Sequence, residues 1–264
     1  MNYEGYRALE ISRRDRVLTI TLNRPEKLNA IDGTLHEELS RVFGDLNRDR
    51  ETDVAILTGA GRAFCAGGDA DWLETLIHDP LGWEQLSEEG RRTIHGILEC
   101  RQPVIAKVNG VAAGLGATLA LFCDVIFASE KARIGDPHVK VGLVAGDGGT
   151  AIWPHLIGYA RAREYLYTGD LIPAQQAADM GLISRCVPAD ELDTVTADFA
   201  ARLADGAIRA IQWTKQAVNA PLRELVASNL ELSLSLEAKS NLTHDHQEGI
   251  NALREKRPAK FIGR

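Results

Sequence analysis

Two glycine-dense segments about 45 residues apart hold the clearest chemical potential in this chain of 264 residues. One is Gly59-Ala60-Gly61-Arg62-Ala63-Phe64-Cys65-Ala66-Gly67-Gly68-Asp69; the other runs from Val104 to Ala117 and contains Asn109-Gly110 and Gly114-Leu115-Gly116. Each follows an apolar, strand-like run and passes into a helical pattern, which leaves backbone N–H groups unpaired at both turns. Two such turns side by side make an oxyanion hole. Their peptide dipoles stabilise an enolate or tetrahedral anion without an added charge, and each donor contributes about 3–4 kcal/mol. No phosphate-loop lysine lies between them. A carboxylate, Asp147, stands in Gly146-Asp147-Gly148-Gly149, where it can cap a helix or carry a proton, and we favour the proton.

The elements that position these groups alternate in the first part of the chain. Strands are expected over residues 17–22, 54–58, 104–108 and 125–128, with helical stretches between them, which points to an α/β fold of repeated β–β–α turns and mainly parallel sheets. Leu35, Leu39, Val42, Phe43 and Leu46 share one helical face, with Thr34 available as the cap. Beyond Tyr159 the pattern becomes helical. A short strand at 182–187 precedes helices expected at 190–204, 207–219, 222–240 and 241–255, and such a tail needs an apolar surface to cover.

Composition narrows the function classes. The chain is 45% hydrophobic and 25% charged with a net charge of −7, an ordinary globular balance without the basic stripe that nucleic acid requires. No apolar run approaches the roughly 18 residues of a membrane span, and the first apolar run, 17–22, reads as a strand rather than a targeting segment. A cytoplasmic location is expected. Cys65, Cys100, Cys123 and Cys186 have neither zinc nor disulfide spacing. His244-Asp245-His246 invites a metal reading, but histidines two apart on a helix face different ways, so helix-surface polarity is expected. His36, His78, His95 and His155 have no supporting constellation. Trp72, Trp83, Trp153 and Trp213 are read as core or acyl-pocket walls.

An ordered set of motifs covers nearly the whole chain: Asn23 to Ala30, Arg62 to Asp69, Asn109 to Gly116, Cys123 to Ala128, Val141-Gly142-Leu143 through Gly149, and Tyr167-Thr168-Gly169 with 177–182. In this order the chain resembles the crotonase, or enoyl-CoA hydratase/isomerase, family. The resemblance implies a spiral core over residues 1–200, a helical trimerisation region over 201–264, and a homotrimer or hexamer. It implies lyase or isomerase chemistry on an acyl-CoA thioester, as in fatty acid metabolism. No cofactor or metal is implied, since coenzyme A enters as part of the substrate.

Carried over by position, the oxyanion donors are the N–H groups of Gly68 and Leu115. The two hydratase glutamates become Thr118 and His138, neither a carboxylate, and Asp147 falls where family members that are not hydratases place a working aspartate. Asp147 is then the principal acid/base and His138 its partner. Coenzyme A contacts carry over to Lys27, Ala66, Gly67, Asp69, Gly114 and Lys260. Around His138 and Asp147 the chain also looks like the family's 6-oxocamphor (β-diketone) hydrolase, so hydrolytic C–C cleavage is one alternative. A catalytically silent acyl-CoA-binding relative is another.

Overall fold

The computed structural model describes residues 3–264. An antiparallel hairpin, β1 (Leu9–Arg14) with β2 (Val17–Leu22), leads into α1 (Gly33–Arg48). One pattern then repeats: a strand in a first sheet, a short strand in a second, then helix. β3 (Val54–Gly59) and β4 (Ala63–Cys65) precede α2 (Ala70–Leu76) and α3 (Pro80–Glu99). β5 (Val104–Val108) and β6 (Val111–Ala113) precede α4 (Leu115–Phe122). β7 (Val125–Ser129) and β8 (Arg133–Gly135) lead through a 3-10 turn, His138–Val141, into α5 (Gly149–Thr168), which is kinked at Gly158. β9 (Ile172–Pro173), α6 (Ala174–Asp179) and β10 (Arg185–Val187) close the spiral. α7 (Leu192–Ala204), α8 (Ile208–Val218), α9 (Ala220–Asn241) and α10 (His244–Glu255) follow.

The first sheet runs β1-β2-β3-β5-β7-β10 and is parallel from β2 onward; the second runs β4-β6-β8-β9, with only the β8–β9 pair antiparallel. β3 is buried along its whole length, as expected of a parallel strand covered on both faces. Ala55 and Leu57 enter the main core, while Val54 and Ile56 face Leu192 and Ala200 of α7. α9 adds Val226, Leu230 and Leu234 to that same core, and Trp213, Val218, Leu232 and Leu242 remain exposed. Among the described residues no helix is long and apolar enough to cross a membrane.

The expected strands and C-terminal helices are present with ends shifted by a few residues, and the strand expected at 182–187 shortens to Arg185–Val187. The second sheet was not anticipated, because strands of two or three residues carry no readable alternation; nor was β1, whose LEISRR sequence is mostly polar and exposed. Thr34 is not the cap of α1. Asp32 is, accepting the Leu35 N–H at 2.9 Å, because the helix begins one residue earlier at Gly33.

Candidate active site

β4 and β6 pair in parallel, so the turns that leave them lie side by side. A Cβ on Gly116 would sit 2.6 Å from both the Cβ and the carbonyl oxygen of Cys65, so only glycine lets the turns approach this closely. Gly114, at φ 54° and ψ −128°, redirects the chain into α4; a Cβ there would lie 3.3 Å from Cε1 of His138. Gly68 lies between two bridging hydrogen bonds, Ile31 N–H to Gly67 O at 2.8 Å and Asp69 N–H to Ile31 O at 2.9 Å. Its own N–H has no acceptor among the described residues. The same holds for Leu115, the first residue of α4 and hence without an intrahelical partner.

His138 enters from the loop after β8. Asp136, fully buried, takes the Nδ1–H of the ring in a short hydrogen bond. Nε2 then faces Asp147 Oδ2 at 3.6 Å and Glu237 Oε1, from α9, at 4.0 Å. Asp147 Oδ1 accepts the Thr118 hydroxyl at 3.0 Å but the Gly149 N–H only at 3.4 Å, so its capping of α5 is weak. One oxygen each of Asp136, Asp147 and Glu237 is buried without a hydrogen-bond partner among the described residues. Burial opposes a charge on His138, but Asp136, Asp147 and Glu237 outweigh it and hold the ring's pKa well above the usual histidine value. Burial raises the Asp147 carboxyl despite His138, and pushes Glu237 up to about 8. One cation cannot balance three buried carboxylates, so the cluster retains protons that others of its members can accept.

His138, Asp147, Glu237 and both turns line one cavity of about 360 Å³. Trp72, Leu73, Trp83, Leu86, Leu143 and Leu234 supply much of its apolar wall. Asp136, His138 and Asp147 also bring ligand-type atoms within 4.8 Å of one another. The two aspartates occupy opposite nitrogens of the ring, whereas a metal bound to one nitrogen would displace the carboxylate there; the arrangement suits proton transfer better.

Of the residues singled out in the sequence, Gly67, Gly68, Gly114, Leu115, His138, Asp147 and Ala66 meet at this cavity. Lys27 and Asp69 line a neighbouring hollow of about 350 Å³ that shares Ala66 and Gly68 with it. Asp69 also caps α2 and pairs with Arg24 at 3.3 Å. Lys260 lies on a third hollow beside Arg257 and Arg264, its N–H bound to Glu248 at 2.8 Å. Asp136 and Glu237 were missed. His36 was read as unsupported, yet it lines the cavity, with Nδ1 2.7 Å from Glu89. Nor is His246 surface polarity: it is fully buried, with Nδ1 on Val141 O at 2.7 Å, because Gly142 lets the start of α10 press against the loop.

A family profile described as "Enoyl-CoA hydratase/isomerase" matches residues 12–264. A probable mitochondrial enoyl-CoA hydratase of Dictyostelium discoideum is 35% identical, covering 93% of this chain and 87% of its own. The crystal structure of an enoyl-CoA hydratase/isomerase from Mycobacterium paratuberculosis superposes with a TM-score of 0.91 at 36% identity, covering 94% of this chain and 99% of its own. A β-diketone hydrolase from the cyanobacterium Anabaena sp. PCC 7120, bound to (S)-3-oxocyclohexyl acetic acid, superposes with a TM-score of 0.85 at 30% identity, covering 91% and 96%.

Proposed function

The chain belongs to the enoyl-CoA hydratase/isomerase family, and on that premise we propose that it acts on an acyl-CoA thioester through an enolate held by the N–H groups of Gly68 and Leu115. One observation carries this reading: the two glycine turns with their free N–H groups and the His138–Asp147–Glu237 cluster line the same cavity. Asp147, oriented by the Thr118 hydroxyl, moves the proton at the substrate's Cα or Cβ. Glu237 is the second proton carrier. His138, held as an imidazolium by Asp136, keeps one carboxylate ionised beside another that stays protonated.

The two hydratase positions read Thr118 and His138, so the carboxyl pair comes here from other elements, α9 and the loop before α5, and efficient hydration is not expected. Lys27 and Lys260 are the proposed contacts for coenzyme A, and no metal or redox cofactor takes part. Exposed Trp213, Val218, Leu232 and Leu242 support assembly as a trimer or hexamer, and the cytoplasm is the proposed compartment. Titration calorimetry with coenzyme A esters of varied acyl length, beside an absorbance assay of crotonyl-CoA, tests the reading. Binding of at least one ester with slow crotonyl-CoA hydration is expected; silence toward the whole panel would refute it.

A second reading, hydrolysis of a β-diketone, is favoured by one observation: Asp136 orients the His138 ring so that Nε2 faces the cavity, as a general base for water requires. It stands second because the surrounding carboxylates keep that ring protonated. Cleavage of a cyclic 1,3-diketone by the purified protein would reverse the order.

A further inference from the structure

Away from the acid/base cluster, the wall built by α1, α2 and α3 is apolar except for the ring nitrogens of His36, Trp72 and Trp83. Trp83 is 5% exposed, and its indole N–H is buried without an acceptor among the described residues. His36 is 2% exposed and its ring is fixed from behind: Nδ1 binds Glu89 at 2.7 Å, and Gln85 binds the other Glu89 oxygen at 2.8 Å. Burial acts to raise the Glu89 carboxyl, but the hydrogen bonds from His36 and Gln85 outweigh it and hold it below the usual glutamate range. Glu89 is thus a carboxylate and Nδ1 carries the hydrogen, which leaves Nε2 as the ring's remaining polar atom.

Trp83, Leu86 and Gly90 recur at helical spacing on the face of α3 that borders the cavity. Gly90 is buried, yet a Cβ there would meet nothing within 4 Å, so open space lies beside this wall. A pre-positioned imidazole and an indole N–H without an acceptor among the described residues, both in the apolar wall of this cavity, form a hydrogen-bonding subsite. For a simple alkyl chain they would be a penalty, since a buried donor left unpaired is unfavourable.

Building on the acyl-CoA reading, we infer that the Trp83–His36 wall selects acyl groups that carry an oxygen function of their own, a hydroxyl, ketone or carboxyl group beyond the thioester. The oxygen accepts the Trp83 N–H. A hydroxyl also donates to His36 Nε2. Sites built to bond a polar group reject the analogue that lacks it far more strongly than apolar pockets separate chain lengths.

Hexanoyl-, 6-hydroxyhexanoyl-, 5-oxohexanoyl- and hexanedioyl-CoA, titrated into the wild-type protein, Trp83→Phe and His36→Gln, test this. The wild type should bind at least one oxygenated ester about tenfold or more tightly than hexanoyl-CoA, and Trp83→Phe, which keeps an aromatic ring and loses the N–H, should shrink that preference to about threefold or less. Lost apolar contact in that variant acts on every ester alike, so the ratio of affinities within each protein is what reports the hydrogen bond. His36→Gln, whose amide can still donate to Glu89, should weaken the same preference. Hexanoyl-CoA bound as tightly as every oxygenated ester, or a preference untouched by both variants, would overturn the subsite and leave the acyl-CoA reading standing. Silence toward all four esters would overturn that reading and the subsite with it.

Discussion

Lys215 and His138 are both basic groups inside the protein, and their surroundings differ in how fully each charge is answered. The Lys215 ammonium, 4% exposed, binds Asp124 at 2.8 Å and the carbonyls of Gln102 and Ile97 at 3.0 and 3.1 Å. Asp124 in turn accepts the Val104 N–H at 2.7 Å. Charge and donors balance, and the result joins α8 to the end of α3 and the start of β5. Around His138 stand three carboxyl groups, each with an oxygen that finds no hydrogen-bond partner among the described residues. Surplus charge and unmet hydrogen bonds are unfavourable for stability and useful for proton transfer. Burial of charge by itself marks neither a structural nor a chemical site. The balance of partners does.

The sharpest way to break this comparison is Asp147→Asn. Asparagine caps a helix about as well as aspartate, so melting should barely move, while turnover of the true substrate should fall by about 10²–10⁴-fold. A variant that melts early yet keeps its specific activity per folded molecule would place Asp147 beside Asp124 as a structural group. Lys215→Met should do the reverse. It leaves half-buried Asp124 without its counter-charge, so denaturant unfolding should register a loss of about 1.5–3 kcal/mol with activity per folded molecule retained. Adding Asp124→Asn should recover part of that loss.

Glu237→Gln probes the charge surplus itself. In the fold its carboxyl is raised to about 8 from an ordinary value of 4.5, so between those values the native state holds a proton that the unfolded chain has released. The stability it contributes is complete below the ordinary value and is lost as pH rises through about 8. Thermal melting followed from acidic to mildly alkaline pH should therefore decline less steeply in the variant, and the two proteins should differ most at the alkaline end. His138 acts in the same direction, its contribution being lost only as pH passes its own raised value, so some slope should remain. The smallest effect is expected from Gly90→Ala. Its methyl enters open space on α3, so the protein should gain about 0.5–1 kcal/mol from helix propensity, while bulky acyl groups should bind less tightly.

The residues nearest the glycine turns were the ones most legible in the sequence. The glycine pattern marks the turns, the family resemblance assigns Gly68, Leu115, Asp147 and His138 on them and near them, and the fold brings these four to one cavity. Glu237 and the His36–Glu89 pair were invisible for a shared reason: their partners are distant in the chain. Glu237 sits in a helix whose leucine and serine neighbours give no sign of a site, and Glu89 lies 53 residues after the histidine it orients. Asp136 is a different omission. It stands two residues before His138, where an aspartate whose backbone is not helical can fold back onto the ring, and that local signal was readable. The β–β–α repeat was legible in its long strands and obscure in its short ones, since periodicity needs length to register.

The cavity draws its wall from Ile31 at one end and Ala259 at the other. α10 contributes Gly249, Ala252 and Leu253, and Arg254 clasps Glu74 on α2. On a ribosome, the glycine turns and the cluster's histidine and aspartates are therefore synthesised well before the pocket that contains them can close. A nascent chain halted within α9 would present the apolar faces of α2 and α3 to water, with no closed cavity beside the glycine turns. Closure of the cavity is thereby coupled to the synthesis of α10, the helix that supplies this part of its wall.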